Sequence, residues 1–313
     1  MVEPPSEARR QSDIATRQNS PALLRLLKAR QWRWHVARNW QKAQLVLLIL
    51  LPAAIGTVGA VHPPWKAGLS VVASLLALVD IAVIDRRYRE AIKTAARMSE
   101  VFDTCLLHLD WNKLTTGKHP TPEEVDRASR SWDRSSLTQP LENWYAHNID
   151  CAPLALSRAI CQRTNLTYDR DLRRIYATVL TVCAALSIAV LLAVGVFNNA
   201  PVVEFLITWC VPVSPFLFWI LRERWRQLDA INANGPVIEE AERLIDAMIV
   251  DHSSDLRCEQ ASRELQNAIF TRRSTTYLMV PGIYGRRRDD SEQVMRAAAS
   301  FWLEKAGLGN IAA

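Results

Sequence analysis

The stretch LVLLILLPAAIGTVGAV, residues Leu45–Val61, contains no charged side chain. A second stretch, AGLSVVASLLALVDIAVI (Ala67–Ile84), follows the link His62–Lys66 and contains one charged residue, Asp80. The core helix of a soluble protein has polar positions along one face, and neither stretch has such a face. A transmembrane helix needs about 17–25 predominantly apolar residues. Residues 45–84 are therefore predicted to form a transmembrane hairpin.

The same pattern recurs in the second half of the chain. Ile175–Val203 is free of charge, and Phe205–Leu221 follows after Glu204 alone. We interpret residues 175–221 as a second transmembrane hairpin. No segment shows the period-two alternation of a half-buried strand. The expected fold class is all-α: an integral membrane protein with four transmembrane helices in two hairpins and a cytosolic helical bundle.

Basic residues are concentrated beside the same ends of all four predicted spans. The two hairpin tips, by contrast, contain only Lys66. Cytoplasmic segments carry such an excess of Lys and Arg, so the N-terminus, the middle segment and the C-terminus are predicted to be cytoplasmic. The flanking residues are Arg25, Lys28, Arg30, Arg33, Arg38 and Lys42 before span one, Arg86, Arg87, Arg89 and Lys93 after span two, Arg163, Arg170, Arg173 and Arg174 before span three, and Arg222, Arg224 and Arg226 after span four.

The segments outside the hairpins divide into four parts. Residues 1–20 are rich in Pro, Ser and charge and are expected to form a disordered leader. Residues 21–44 have the pattern of an amphipathic cytosolic or interfacial helix that runs into the membrane. Residues 85–174 are predicted to be a cytosolic helical segment, and residues 222–313 the cytosolic C-terminal helices.

Local signals predict where several of these helices begin and end. Thr121 followed by Pro122 is a typical helix start. After Pro153, one helix is expected to continue through Leu172 into the third span. The pair Gly235-Pro236 is expected to end a helix, since proline lacks the amide hydrogen. A last helix over Asp289–Lys305 is expected to stop at Gly307.

Composition argues against several kinds of site. The six cysteines show no CxxC spacing and the six histidines no HExxH motif, so a metal site is not expected. The chain has no Gly-rich phosphate loop and no GxSxG motif, so no catalytic residue, no cofactor and no enzymatic activity are predicted. Most of the excess basic charge lies at membrane ends, where it serves topology and anionic lipid head groups. A polymeric nucleic acid is therefore not an expected partner.

A group of residues in the middle segment has chemistry suited to a nucleotide. Aromatic rings stack on bases, and arginine pairs with phosphate in a fork. The alternative is that the aromatic residues belong to the core and the arginines are surface or membrane-facing charges. The candidate ligand residues are Trp111, Asn112, Trp144, Tyr145, Arg158, Gln162, Arg163, Asn165 and Tyr168.

Three residues within the predicted spans are candidates for a pore or gate. Asp80 is an ionisable group inside a span, where it should face protein or water because its charge is costly in lipid. It either lines a pore or reaches Arg86 or Arg87 at the cytoplasmic surface. Pro212 and Pro215 should kink the fourth span, either as a hinge for opening or as a detail of packing.

Short motifs recur in order around the predicted spans and resemble one bacterial family, the SMODS-associated four-transmembrane effectors (S-4TM). The similarity covers nearly the whole chain from residue 20 onward. The motifs are Asp110-Trp111-Asn112, Asn143-Trp144-Tyr145, Ile160-Cys161-Gln162-Arg163-Thr164-Asn165, Tyr168-Asp169, Leu172-Arg173, and Glu264–Phe270 with Arg272-Arg273, Pro281 and Tyr284.

The resemblance implies a role in cyclic-oligonucleotide anti-phage signalling (CBASS) at the bacterial inner membrane. In such systems a cGAS-like nucleotidyltransferase makes a cyclic di- or trinucleotide upon infection. The membrane effector binds this messenger, oligomerises or opens, and breaches the membrane, so that the cell dies before phage are released. The resemblance favours the aromatic–arginine group as the ligand site and a homo-oligomer as the active form.

Two other classes of function stay open. One is a constitutive small ion channel or transporter, although four spans with a single buried charge offer a poor substrate path within one chain. The other is a membrane-anchored enzyme with an active site in the cytosolic helices. A neighbouring nucleotidyltransferase gene would favour the effector, and a metabolic operon would favour the other two.

The basic residues beside the spans predict the outcome of cysteine labelling in intact cells. A membrane-impermeant thiol reagent should label cysteines introduced at residues 62–66 and 198–201, which are expected outside. Cysteines introduced at Thr121 and Ser291 should stay protected. Labelling at Thr121 from outside would contradict the four-span topology.

Overall fold

The computed structural model describes residues 10–51, 54, 55, 58, 62–137, 140–199, 201–250, 255–279 and 288–308. Residues 1–9 of the predicted leader, much of the first span and the motif residues Pro281 and Tyr284 lie outside these ranges. All regular elements of the described residues are helical. The α-helices are α1 Ile14–Arg17, α2 Pro21–Leu45, α3 Lys66–Val79, α4 Asp85–Leu107, α5 Lys113–Thr116, α6 Pro122–Asp133, α7 Leu154–Phe197, α8 Val202–Phe205, α9 Val211–Val250, α10 Asp255–Thr275 and α11 Arg288–Lys305.

Three wide π-helical turns lie within the predicted spans: Val46–Leu50, Asp80–Ile84 and Leu206–Cys210. Each is closed by an i→i+5 backbone hydrogen bond, for example from the Asp85 N–H to the Asp80 carbonyl. Such turns widen a helix without ending it and are frequent at functional sites. Helix α2 therefore continues beyond Leu45 into the first predicted span, and α3 continues through its π turn into α4.

Helix α7 joins the bundle to a predicted span without interruption. It begins after Pro153, as expected, and runs through Leu172 to Phe197. Among the described residues it is the one helix that combines the length and apolar composition needed to cross a membrane. Only 11% of its apolar window is buried, so this portion is not the core helix of a soluble bundle.

The prediction that Gly235-Pro236 ends a helix is wrong. Helix α9 runs unbroken from Val211 to Val250. Pro236 has no amide hydrogen to donate to the carbonyl of Asn232. Both residues are exposed, so water can satisfy this carbonyl. Packing of the next turn then holds the helix together, because Ile238 lies in a buried cluster with Leu166 and Ile269.

The helical bundle outside the predicted spans buries one large apolar core. Helix α2 packs against α4 and α6, helix α7 packs along α9, and α10 lies against both α4 and α7. Helix α2 is thus part of the bundle along its length, with Leu23, Leu27 and Ala37 buried. The capping box of α6 forms as its sequence predicts, with Thr121 accepting from the Glu124 N–H. Helix α11 ends before Gly307, which adopts a left-handed φ of 73°.

The expectation of a disordered leader over residues 1–20 fails from residue 10 onward. Ile14 is completely buried in the main core. The Asp150 carboxylate accepts hydrogen bonds from the backbone amides of Ala15 and Thr16 at 2.8 and 2.9 Å. A carboxylate at the start of a helix pairs with amides that lack an intrahelical partner. This tertiary contact orders a segment that its composition alone would leave disordered.

Arg158 is buried and holds the C-terminus of α4. Its Nε and one Nη donate to the carbonyls of Leu107 and His108 at 2.8 and 3.1 Å. Helix α4 ends there because His108 adopts a left-handed φ of 53°, and the last carbonyls of a helix need partners from elsewhere. Arg158 thus ties α4 to the first turn of α7.

Replacing Arg158 by Ala should destabilise the bundle by about 3 kcal/mol, because two charge-assisted hydrogen bonds to buried carbonyls are lost. Thermal unfolding of the purified chain in detergent would measure the change. The matched control is Arg174→Ala on the same helix, whose side chain is 61% exposed and which should stay within about 0.5 kcal/mol of the parent. Equal melting temperatures for both variants would contradict this role.

Candidate functional site

The structure separates the predicted ligand residues into distinct places. Trp144, Tyr145, Asn165 and Tyr168 meet beneath helix α11, and Arg163 lies on the neighbouring side of α7 against the same helix. Trp111 and Asn112 lie at the start of α5. Arg158 and Gln162 are buried between helices and bonded to protein groups. Whether any of these residues binds a ligand stays a prediction.

The cluster beneath α11 is a set of aromatic residues with polar edges. The Trp144 ring meets Tyr168 edge to face at 5.6 Å. Asn165 donates to the Tyr145 hydroxyl at 2.8 Å, and complete burial raises the pKa of this phenol well above its usual value. Gln18 binds both the amide and the carbonyl of Tyr145. The segment before α7 is thereby fixed to the ordered N-terminus.

Arg163 already has an anionic and an aromatic partner in this structure. Its Nε and one Nη lie 2.8 and 2.7 Å from Oε1 of Glu242 on α9. Its guanidinium carbon lies 5.4 Å from the centre of the Trp302 ring on α11. A phosphate group would form an ion pair of the first kind with arginine, and a nucleotide base would form a stacking contact of the second kind.

The space between α11 and the aromatic cluster is small. A cavity of about 10 Å³ has Trp144, Tyr145 and Thr164 on one side and Met295 and Ala299 of α11 on the other. That is the volume of about one water molecule. A nucleotide does not fit there while α11 is in place.

Trp111 and Asn112 serve the turn before α5. The Trp111 indole donates to the Gly117 carbonyl at 3.0 Å and lies beside the His119 ring. The Asn112 side chain caps α5 by accepting from Leu114 N–H. These contacts shape the loop and leave both residues apart from the cluster beneath α11.

Gln162 belongs to a buried polar network that the sequence analysis missed. Its amide donates to the Ser262 carbonyl at 2.7 Å and to Gln266 Oε1 at 3.2 Å. Gln266 in turn donates to the carboxylates of Glu100 and Asp103 on α4. Two arginines of α10 complete the network, Arg263 on Glu100 and Arg273 on Asp103.

The electrostatics of this network match a structural ion-pair cluster. Burial raises the pKa of the Glu100 carboxyl, and hydrogen bonds from Arg263 and Gln266 oppose the rise. Burial disfavours the charge on Arg273, but Asp103 beside it outweighs that effect and raises the pKa of the guanidinium. Glu100 and Asp103 share the buried face of α4 with Ala96 and Leu107. In the sequence, Glu100 and Asp103 follow Ala96 at the three- and four-residue spacing of a buried helix face. This spacing was the signal that could have predicted their burial.

Asp80 is bonded in a way the sequence analysis did not foresee. Its Oδ2 accepts from Gln44 Nε2 at 3.4 Å, and its Oδ1 is buried without a partner. Arg86 and Arg87 pair with Glu90 instead, so the expected contact with these arginines is absent. Asp80 thus joins the second predicted span to the last turn of α2, directly before the first predicted span. An ionisable group within a span is a candidate functional site.

A π turn, Leu206–Cys210, lies directly before α9, within one uninterrupted helical run from Val202 to Val250. Pro212 follows this turn inside the run, where proline cannot donate the usual backbone hydrogen bond. The kink predicted for Pro212 and Pro215 stays a prediction. Whether this turn acts as a hinge stays a prediction.

A second polar network lies where the bundle meets the predicted membrane surface. Arg173 donates to Asp169 and to Gln227 at 2.8 and 2.6 Å, and it also binds the Tyr277 carbonyl. The segment after α10 is therefore fixed against α7 and α9. No group of three or more metal-binding side chains occurs in the part of the chain that the structure describes.

Comparison with known proteins places this arrangement in a family. Residues 12–301 match the SMODS-associating 4TM effector domain. The chain belongs to this family of membrane effectors. A probable CBASS effector molecule of Bacillus cereus (strain VD146) is 23% identical over 292 residues, which cover 89% of this chain and 94% of that protein. No solved structure matches the chain significantly. The resemblance inferred from the short motifs is confirmed.

The pair Asp103–Arg273 should behave as a structural contact in this S-4TM protein. Asp103→Asn leaves a largely buried guanidinium without its charged partner and should cost about 3 kcal/mol. Arg273→Gln should cost a similar amount. The double variant should cost less than the sum of the two, as measured by chemical unfolding, because the interaction is lost only once. Strict additivity would show that the two side chains do not interact.

Proposed function

We propose that this S-4TM protein is a membrane effector of a bacterial antiviral (CBASS) system, gated by a cyclic di- or trinucleotide. On binding, it permeabilises the inner membrane and causes abortive infection. The family and the related probable CBASS effector support this role. In this proposal the chain has four spans with both termini in the cytoplasm, works as a homo-oligomer and has no catalytic activity.

The observation that carries the proposal is the continuity of α7. One end of this helix presents Arg163, Asn165 and Tyr168 to the cytosolic cluster, and the other end is its exposed apolar portion. Arg163 lies about 18 Å along the helix axis from the first residue of the predicted span, Ile175, at about 1.5 Å per residue. A ligand that moves the cytosolic end therefore moves the span with it.

A pore of this kind must be shut at rest, since an open one would collapse the ion gradient. The ligand then opens it by binding the open state more tightly than the shut state. A shift of the shut-to-open ratio from about 99:1 to 1:99 requires about 5.5 kcal/mol of differential binding. The internally paired state of Arg163 and the filled space beneath α11 are features of a shut state.

Membrane-potential measurements in cells test the gating. Expression of the chain alone should leave the potential intact. Co-expression with a nucleotidyltransferase that makes cyclic di- or trinucleotides should depolarise the cells. Depolarisation by the chain alone, at the same rate, would favour the constitutive channel and contradict ligand gating.

Two variants separate ligand recognition from conduction. Arg163→Ala should weaken the nucleotide response about ten- to hundredfold, since a charge-assisted contact is worth about 1.5–3 kcal/mol. Asp80→Asn should leave nucleotide binding unchanged and alter conductance or gating, because it lies in the predicted spans. If both variants accumulate in the membrane and respond like the parent, the ligand and conduction roles are assigned to the wrong residues.

A further inference from the structure

We infer that helix α11 covers the nucleotide site in the resting protein, with Trp302 and Glu242 in the places of a base and a phosphate. The inference rests on the proposed function, since it locates the nucleotide site of that function. It predicts that the messenger binds between Trp144 and Arg163 after α11 has left.

The first step of the argument is the bonding of Arg163. Two of its three guanidinium nitrogens, Nε and one Nη, reach one oxygen of Glu242, and the Trp302 ring lies over the same group. Phosphodiesters bind the edge of a guanidinium, and purines stack on its face. Glu242 and Trp302 occupy these two positions, so a nucleotide must compete with them.

The second step is the floor of the site. The rings of Trp144 and Tyr168 are in contact with each other, and both pack against Met295 of α11. The guanidinium of Arg30 lies 5.6 Å from the centre of the Trp144 ring and 5.2 Å from that of the buried Phe102, so Arg30 supports Trp144 from the core. With α11 in place, the remaining cavity is about 10 Å³, whereas sites for small ligands measure roughly 300–1,000 Å³. Removal of α11 uncovers stacking surfaces and arginine together.

The third step is the way α11 is attached. Its inner face buries Met295, Ala299, Trp302 and Leu303, all apolar side chains. Its described polar contacts include Lys305 to Asp246 at 2.6 Å and Asn148 to Ser300 at 3.1 Å, both near the surface. Helix α10 differs, because its polar side chains enter the buried network around Glu100. Among the described contacts, the buried ones that α11 would break on leaving are apolar, together with the stacking of Trp302 on Arg163.

Binding to the purified full-length chain in lipid nanodiscs tests the inference. The probes are cyclic di-AMP, cyclic di-GMP, cyclic GMP–AMP and cyclic tri-AMP, each titrated separately. If α11 competes with the ligand, loosening it raises the fraction of open sites and lowers the apparent Kd in proportion. Trp302→Ala should bind the active probe about tenfold more tightly than the parent. The matched control is Phe301→Ala, since Phe301 is 57% exposed on the same helix and should stay within about twofold.

A second variant loosens α11 at the surface and tests the inference even if Trp302→Ala fails to fold. Lys305→Glu places two negative charges together at a half-exposed pair and should tighten binding about three- to fivefold. The charge swap Asp246→Lys with Lys305→Glu should return binding to the parent value. Hydrogen exchange of peptides within residues 293–305 should increase when the active probe is added to the parent.

The outcomes separate the two proposals. Suppose that a probe binds the parent but binds Trp302→Ala and Lys305→Glu no more tightly. This result would overturn the proposed role of α11, and the proposal of a gated effector would stand. Increased protection of residues 293–305 on binding would also overturn it. If none of the four probes binds the parent or either α11 variant, the nucleotide-gated function fails, and the site beneath α11 fails with it.

Discussion

Backbone hydrogen bonding in an apolar environment is the constraint on which the rest of this structure depends. A chain that crosses lipid must satisfy its amides and carbonyls internally, so a spanning segment stays helical throughout the apolar layer. Helices α2, α4 and α7 accordingly extend from the apolar stretches deep into the bundle. The bundle is built from the same helices as the proposed spans, and this continuity is the route on which the proposed gating depends.

Two polar networks hold these long helices in register. One, around Arg173, Asp169 and Gln227, lies next to the predicted membrane surface. The other joins Glu100 and Asp103 of α4 to α10. Unpaired members of such clusters are costly when buried, so the clusters favour one arrangement of the helices over slipped alternatives. The described members of both networks lie on α4, α7, α9 and α10 and on the segment after α10.

The predicted spans contain features that suit a change of state. Among the described residues, three π turns interrupt the α-helical geometry there, and the Gln44–Asp80 contact links the end of α2 to the second span next to two of these turns. The buried second oxygen of Asp80 has no partner in this structure. Because π turns are frequent at functional sites, the proposed gating is expected in these spans.

The sequence by itself determined the elements whose cause is local. Uncharged stretches predicted where apolar helices lie, the Thr121-Pro122 pair predicted the start of α6, and the lack of any break between Pro153 and Ile175 predicted a continuous α7. The order of short motifs also identified the family. These signals lie within a few turns of one another along the chain, where propensity and periodicity act.

Tertiary structure alone decided the rest, because those outcomes depend on partners distant in sequence. Asp150 orders the segment around Ile14, and packing of Ile238 carries α9 past Pro236. The candidate site was predicted in part: Trp144, Tyr145, Asn165 and Tyr168 do meet, whereas Arg158 is used to hold α4. Trp302 was absent from the prediction, since nothing in the sequence shows which helix packs over Arg163. The residue types predicted stacking and ion-pairing interactions at the site. Long-range packing decided which partners these residues have in the structure.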